Sequence, residues 1–387
     1  MRLDTGLTDR YTAVAAATVA KNAENHYQNG TLDIESWREL AAEGLWRLAV
    51  PRRFGGYGGG WWDFVAAFEG IAAGGQDLGF NLSLVAQAGL IRSMLTFCTE
   101  EQIGRYLPIL LDGGVGATAL TETRGGSDVA RVQTAAVRTA DGYVLTGAKD
   151  HVTHGPIADL AFVLARVPEL GRRDITLFIV DMNDPDVHKG EIENMAGNRT
   201  SPTGPFTLDG VALGHDSVVG SPGDGLTMIY NTISLDRLLY GVLAAGYLEP
   251  VLADAFSFSE QREAFKHKII DYQYIQARLT DMRMSIDTTR AISYTALDAL
   301  LDGRPEANRL CSTAKFHGAE SLRAGAEHAL RIKGHLGYMA GPTIQRLLDA
   351  YGCLIAGGTA EMQRKNIFNQ MRTGASAAPR ALAGQTQ

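Results

Sequence analysis

The spacing of apolar positions changes twice along this chain. In Asp33–Ala49 (DIESWRELAAEGLWRLA), Ile34, Trp37, Leu40, Leu45 and Leu48 recur near helical spacing, and Phe64–Ile71 and Leu82–Thr96 follow the same rhythm. Further on the runs shorten. Tyr143–Leu145, Leu160–Ala165, Ile175–Val180 and Phe206–Val211 are rich in Val, Ile and Phe, are bounded by Gly, Pro or Asp, and read as strands. Glu169–Asp174 reads as a hairpin turn between two of them. Beyond about residue 224 the helical period returns in Thr227–Glu249, Phe256–Gln261, Ile269–Asp302, Arg309–Lys333 and Thr359–Arg372. Proline follows the same division. Six of the twelve lie between Pro156 and Pro222, and only Pro250 lies between residues 223 and 304. Long proline-poor stretches permit long helices, because proline lacks the helix donor and clashes with the preceding turn. The expected fold is therefore mainly α with an inserted β domain. It comprises an N-terminal helical domain (1–116), an antiparallel middle β domain (117–223), a C-terminal helical bundle (224–372) and a small-residue, polar, disordered tail (373–387). Between the first helices, RRFGGYGGGWW (52–62) has five glycines but no Lys-Ser/Thr after it and no strand before it. It reads as a flexible connection, not a phosphate cradle.

Composition narrows the function classes. At 387 residues and 45% hydrophobic, the chain is long enough to bury a core without staples. The net charge of −7 argues against a nucleic-acid partner. No apolar run reaches the ~18 residues of a membrane span, and MRLDTGLTDR lacks the apolar stretch of a secretory signal. Cys98, Cys311 and Cys353 are far apart and odd in number, which disfavours a disulfide framework or cysteine zinc site and fits a reducing cytoplasm. There is no G-x-S-x-G, H-E-x-x-H, C-x-x-C or strand-linked G-x-G-x-x-G. Hydrolase, zincin and nicotinamide dehydrogenase readings lose their usual supports.

Four clusters carry candidate chemistry. Thr121–Asp128 (TETRGGSD) joins two hydroxyls to a glycine pair whose exposed N–H groups can cradle an anion. His151 and His154 lie in KDHVTH, but residues three apart on a strand face opposite ways, which disfavours a shared metal. Asp236 and Tyr240 sit four apart, beside the apolar stripe Leu235, Leu238, Leu239 and Val242 and next to Arg237. An acid beside an apolar stripe is a candidate for the raised pKa of a general base. In IAGGTAEMQR, Thr359 reads as a helix N-cap with Glu361 in the positive first turn.

Singly these clusters are ordinary; their order is not. LAVPRRFGGYGGG, ALTETRGGSDVA, LTGAKDHVTHGPIADLAFVLARV, SLDRLLYGVLAAGYLEP with its continuation through REAFKHKIIDYQ, IKGHLGYMAGPTIQRLLDA and IAGGTAEMQRKNI together resemble the acyl-CoA dehydrogenase family over nearly the whole length. The resemblance implies FAD, a helical domain, a small β domain and a four-helix bundle. It implies an acyl thioester substrate, on coenzyme A or an acyl-carrier protein. A carboxylate takes the α-proton while the β-hydrogen leaves as hydride to flavin N5. It further implies an electron-transfer flavoprotein or oxygen as acceptor, and a homodimer or homotetramer.

Carried over position by position, Leu120, Thr121, Gly126, Ser127, His151 and Thr153 match flavin contacts, with Ser127 also toward substrate. Arg262, Phe265 and Gln273 match FAD contacts made in part across a subunit interface, and Arg331, Gly334 and His335 match the segment that reaches a neighbour's dinucleotide. Thr359 and Glu361 match the T-x-Q/E that closes over the flavin, and Arg237, Gly357 and Gly358 border the substrate. Gly357 stands where many members carry the catalytic Glu. A subset shares this Gly-Gly-Thr-x-Glu pattern and places its base on the first bundle helix directly before an Arg, here Asp236. Its reach is roughly 1.3 Å shorter than that of Glu, and a ~1 Å misplacement can cost about 10²-fold. Alternatives within the fold are an acyl-carrier oxidoreductase acting on a hydroxy or aldehyde extender unit, and a flavin oxidase or monooxygenase. Outside enzymology the alternative is a degenerate binding protein.

Overall fold

A computed structural model describes residues 3–373; positions 374–387 of the expected tail lie outside the described residues. Six helices precede the first strand: α1 (Thr5–Ala17), α2 (Val19–Asn29), α3 (Ile34–Ala42), α4 (Trp61–Gly75), α5 (Leu78–Phe97) and α6 (Glu100–Leu111). Local chemistry starts them. Asp33 accepts the Ser36 N–H at 3.0 Å, Asp77 accepts the Phe80 N–H at 2.9 Å, and Thr99 and Gln102 form a reciprocal capping box. The apolar run 33–49 breaks at Gly44, whose φ of 88° ends α3. The glycine-rich connection after it is tied back to the preceding turn by backbone hydrogen bonds. Tyr57 N–H donates to the Arg47 carbonyl at 2.8 Å and Gly58 N–H to that of Val50 at 3.0 Å. A Cβ on Gly56 would fall 1.9 Å from the Val50 oxygen, so glycine serves close backbone approach here.

Seven strands follow in one sheet: β1 (Gly116–Ala119), β2 (Ala135–Arg138), β3 (Gly142–Thr153), β4 (Leu160–Arg166), β5 (Ile175–Asp181), β6 (Val187–Lys189) and β7 (Thr203–Gly214). Their order is β1-β4-β2-β3-β7-β6, with β5 also on β4. The expected antiparallel sheet is in fact mixed. β1 and β2 both pair with β4 in parallel; the β2–β3 hairpin separates β1 from β4 in the chain, and β3 separates β2 from β4, giving each pair the long connection that parallel pairing needs. β4 and β5 form the expected hairpin, closed by an Arg166–Asp174 ion pair of 2.5 Å. β1, β2 and β6 are too short for alternation to mark them.

The C-terminal region opens with α7 (Gly225–Gln261), which runs unbroken through Pro250 and so joins two segments expected separately. A two-stranded hairpin, β8 (Glu263–Ala264) and β9 (His267–Lys268), leads to α8 (Gln273–Leu301) and α9 (Ala307–Lys333). α10 (His335–Tyr338), α11 (Pro342–Ile355) and α12 (Ala360–Thr373) complete the chain. α7 and α9 cross closely: a Cβ on Gly318 would sit 2.7 Å from the Gly241 Cα. α5 and α7 are long and apolar enough to cross a membrane (mean hydropathy 1.2 and 1.3), against the expectation that no run reaches that length. Of those windows 94% and 72% are buried inside the fold, so their apolar surface faces other helices. α5 packs on α7, and that contact builds the site.

Candidate active site

On the sheet side, the turn that follows β1 and Leu120 is anchored from within. The buried Glu122 carboxylate accepts Lys149 Nζ at 2.7 Å, the Thr134 hydroxyl at 2.6 Å, and the N–H groups of Gln133 and Thr134 at 2.6 and 3.0 Å. Lys149, in β3, is fully buried and also donates to the Leu164 carbonyl at 2.7 Å. Burial pushes the Glu122 carboxyl up, but the bonds from Lys149 and Thr134 outweigh it and hold it below the usual carboxylate range. Asp150 N–H donates to the Thr121 carbonyl at 3.0 Å. Above this anchor Gly126, Ser127 and Asp128 stay exposed, and a Cβ on Gly126 would meet nothing within 4 Å. The turn thus leaves the Gly126 backbone open to approach, with Ser127 exposed beside it.

His151 and Thr153 lie at the end of β3, where the register with β7 shifts between Lys149 and Val152. His151 takes φ 53°, is exposed, and its Nδ1 lies 2.8 Å from Glu193. His154 is buried, with Nδ1 2.8 Å from the Gly116 carbonyl. Burial lowers its pKa to about 4, so it is neutral. No group of three or more His, Cys, Asp or Glu among the described residues could hold a metal.

On the bundle side, Asp236 keeps some exposure as a residue, but its Oδ1 is shut off from solvent and has no hydrogen-bond partner. It sits against α5: a Cβ on Gly89 would fall 2.1 Å from that oxygen. Burial raises the Asp236 pKa to about 7, opposed by the charges of Arg92 and Arg237. Arg237 is itself buried, with its Nε unpartnered. One turn further along α7, the Tyr240 ring lies 5.1 Å beneath Lys315 Nζ.

Tyr240 accounts for Gly357. A Cβ there would come within 2.7 Å of the ring and 2.9 Å of its hydroxyl, and Gly357 and Gly358 hold φ of 67° and 86°. A side chain at 357 would require the Tyr240 ring to shift and would strain the backbone. The buried Gln363 donates to the Gly358 carbonyl at 2.9 Å and secures the turn. Thr359 Oγ1 accepts the Met362 N–H at 3.3 Å as an N-cap. Glu361 is exposed in that first turn, its carboxyl held low by its own backbone N–H and the Thr359 hydroxyl. We expect Gly357→Glu, placed in an Asp236→Asn background, to restore no activity, checked by flavin bleaching with substrate. Recovery would show that Tyr240 yields.

Arg262, Phe265, Gln273, Arg331, Gly334 and His335 gather elsewhere. All are exposed, at the end of the bundle where Lys333 pairs with Asp254 at 2.5 Å. From Asp236 to Arg262 the axis of α7 runs roughly 39 Å. A single chain therefore does not bring this group to Asp236. Sequence reasoning missed Gly89, Arg92 and Lys315. Lys315 had a signal: it shares helical spacing with the buried Cys311, Gly318 and Leu322, and its ammonium donates to the Cys353 carbonyl at 2.9 Å. Gly89 and Arg92 had none.

Comparison with known proteins gives this geometry a family. Residues 5–114, 117–211 and 223–371 match the acyl-CoA dehydrogenase N-terminal, middle and C-terminal domains. An acyl-CoA dehydrogenase of Bacillus subtilis is 30% identical over 90% of this chain and 93% of its own length. The caffeyl-CoA reductase–Etf complex subunit CarC of Acetobacterium woodii is 28% identical over 89% and 91%. The solved butyryl-CoA dehydrogenase of Megasphaera elsdenii is similar at a TM-score of 0.88 and 28% identity, covering 95% of this chain and 98% of that one. The chain belongs to the acyl-CoA dehydrogenase family, FAD-dependent oxidoreductases acting on acyl thioesters.

Proposed function

We propose that this protein removes two hydrogens from the α and β carbons of an acyl-CoA, with Asp236 as the base that takes the α-proton. One observation carries the reading: a carboxylate oxygen sealed from water, left without a partner, and pressed between two helices. A buried polar atom left unsatisfied is costly and points to a partner that arrives with the reaction.

The residues present fit FAD. The open face of Gly126 admits close backbone approach, Thr121 and Ser127 supply hydroxyls, and Arg262 and Arg331 offer exposed guanidiniums suited to a diphosphate. When bound, FAD supplies the acceptor for the β-hydrogen as hydride. The chain's own part is electrostatic and positional. Asp236 must be ionised to accept the α-proton, and it ends the step as the neutral acid. Burial against α5 disfavours the charged form and so makes Asp236 a stronger base than a solvated carboxylate. The positions far from Asp236 serve the site through a second copy of the chain. Phe265, Tyr274 and Tyr338, 90%, 86% and 72% exposed in the same region, are the apolar surface such a copy would cover. Similarity to a subunit of an Etf complex supports an electron-transfer flavoprotein as the acceptor.

The test is anaerobic bleaching of the yellow protein by acyl-CoA and by acyl-carrier thioesters in parallel. Bleaching by the CoA thioester supports the reading, and bleaching only by the carrier thioester moves the substrate to the carrier class. Because the base has a pKa near 7, the bleaching rate should rise with pH through about 7 and level off above it. A rate flat from pH 5.5 to 9 would remove Asp236 from the step.

A further inference from the structure

We propose that Arg92 is a positioning residue for Asp236: with Gly89 on the same face of α5, it grips the turn of α7 that presents the carboxylate and favours its charged form without bonding its reactive oxygen. This inference rests on Asp236 being the base.

Gly89 and Arg92 are three apart on α5, and Thr232 and Asp236 are four apart on α7, so each pair shares a helix face. The two faces meet at two points. Gly89 receives Asp236, and Arg92 Nη1 donates to the Thr232 carbonyl at 2.8 Å. In a helix that same carbonyl takes the N–H of the residue four positions on, which here is Asp236. Arg92 therefore holds the peptide group to which the Asp236 backbone is bonded. The Thr232 hydroxyl does not compete, because it donates back to Met228 at 2.7 Å.

The placement of charge supports the second half of the proposal. Arg92 is 3% exposed, on a helix whose neighbouring Leu90, Ile91 and Met94 are buried. Burying a guanidinium there is costly unless its charge is used. The charged and titratable groups that face Asp236 are Arg92 from α5 and Arg237 and Tyr240 from α7, while Cys311 of α9 faces both guanidiniums. The two cations favour the carboxylate form, yet Oδ1 keeps no hydrogen bond. A direct fork between guanidinium and carboxylate would hold the charge more strongly, but it would occupy the lone pair that must accept the proton. A cation that bonds the neighbouring peptide supplies field and leaves the oxygen available.

The experiment uses full-length protein bearing Arg92→Met, Arg92→Gln, Arg92→Lys or Asp236→Asn. FAD content and circular dichroism report folding. Infrared difference spectra of the FAD-free protein report the carboxylic C=O band that Asp236→Asn removes, and anaerobic bleaching is followed from pH 5.5 to 9.5. In Arg92→Met that band should persist about one pH unit or more higher than in the parent, as expected when a nearby opposite charge is lost. Bleaching at pH 7 should then fall about fivefold or more and recover in alkali. Arg92→Gln, which can still bond the Thr232 carbonyl, should shift the titration in the same direction, and it decides the question if the Met variant does not fold. Arg92→Lys should restore the parent profile. Folded, FAD-loaded Met or Gln variants with an unmoved band and unmoved pH limb would overturn the proposal. If Asp236→Asn bleaches normally, the base assignment fails instead, and the two failures are thereby distinguished.

Discussion

Asp236→Asn protein should take up FAD and turn yellow, yet acyl-CoA should bleach it roughly 10²–10⁴-fold more slowly than the parent, the usual cost of losing a positioned base. Asparagine keeps the shape that fits against Gly89 but cannot accept the α-proton. The same variant should melt higher than the parent at pH 8. The Asp236 pKa is raised from 3.8 to about 7, so the folded state binds this proton more tightly than the unfolded state does. Stability contributed by the protonated acid is full below pH ~4 and is lost as pH rises through about 7. Asparagine has no charge to desolvate, so the gain in melting temperature should be present at pH 8 and vanish by pH 4. A variant slow in bleaching but less stable at pH 8 would mean that the carboxylate is held by contacts other than those described.

The second large effect is on stability. Lys149→Met leaves the Glu122 carboxylate buried without its cation, and breaking a buried pair in this way typically costs about 3–5 kcal/mol. The bonds from Thr134 and Gln133 remain, so the turn should loosen without unfolding entirely. FAD affinity should fall with it, because Gly126 and Ser127 are carried on that turn. Denaturant midpoints of Lys149→Met, Glu122→Gln and the double variant would check this. The double variant should be less unstable than the sum of the single ones, since removing both charges leaves no orphan. Simple additivity would show that the pair is not coupled.

How much of this could be read in advance varies by feature. Long helices such as α8 and α9 carry many periods of apolar spacing, and their sequences announce them. The break of α7 expected near Pro250 did not occur, because packing inside the bundle outweighs the lost hydrogen bond. In the glycine-rich connection, composition gives no sign that Gly56 packs against the Val50 carbonyl, because that contact depends on how the chain folds back. The His151–His154 pair could be discounted from strand geometry, but that one ring is exposed and the other buried under Trp37 depends on how the sheet lies on the N-terminal helices. The sequence marks Asp236 as an acid before an Arg on an apolar helix. It does not mark the seat of that acid, since Gly89 and Arg92 look like any glycine and any arginine in the sequence.

By itself the sequence determined the order of helices, sheet and helices, and the motifs that mark the family, because helical and strand periods are local and repeat many times. Tertiary structure alone decided that β1 and β2 run parallel to β4, that Tyr240 crowds position 357, and that Asp236 Oδ1 is buried near Arg92. Each of these is a single contact between distant positions, as between Arg92 and Thr232, 140 residues apart. Such contacts have no period to reveal them, and they set charge state and reach through burial that exists only once the helices have packed.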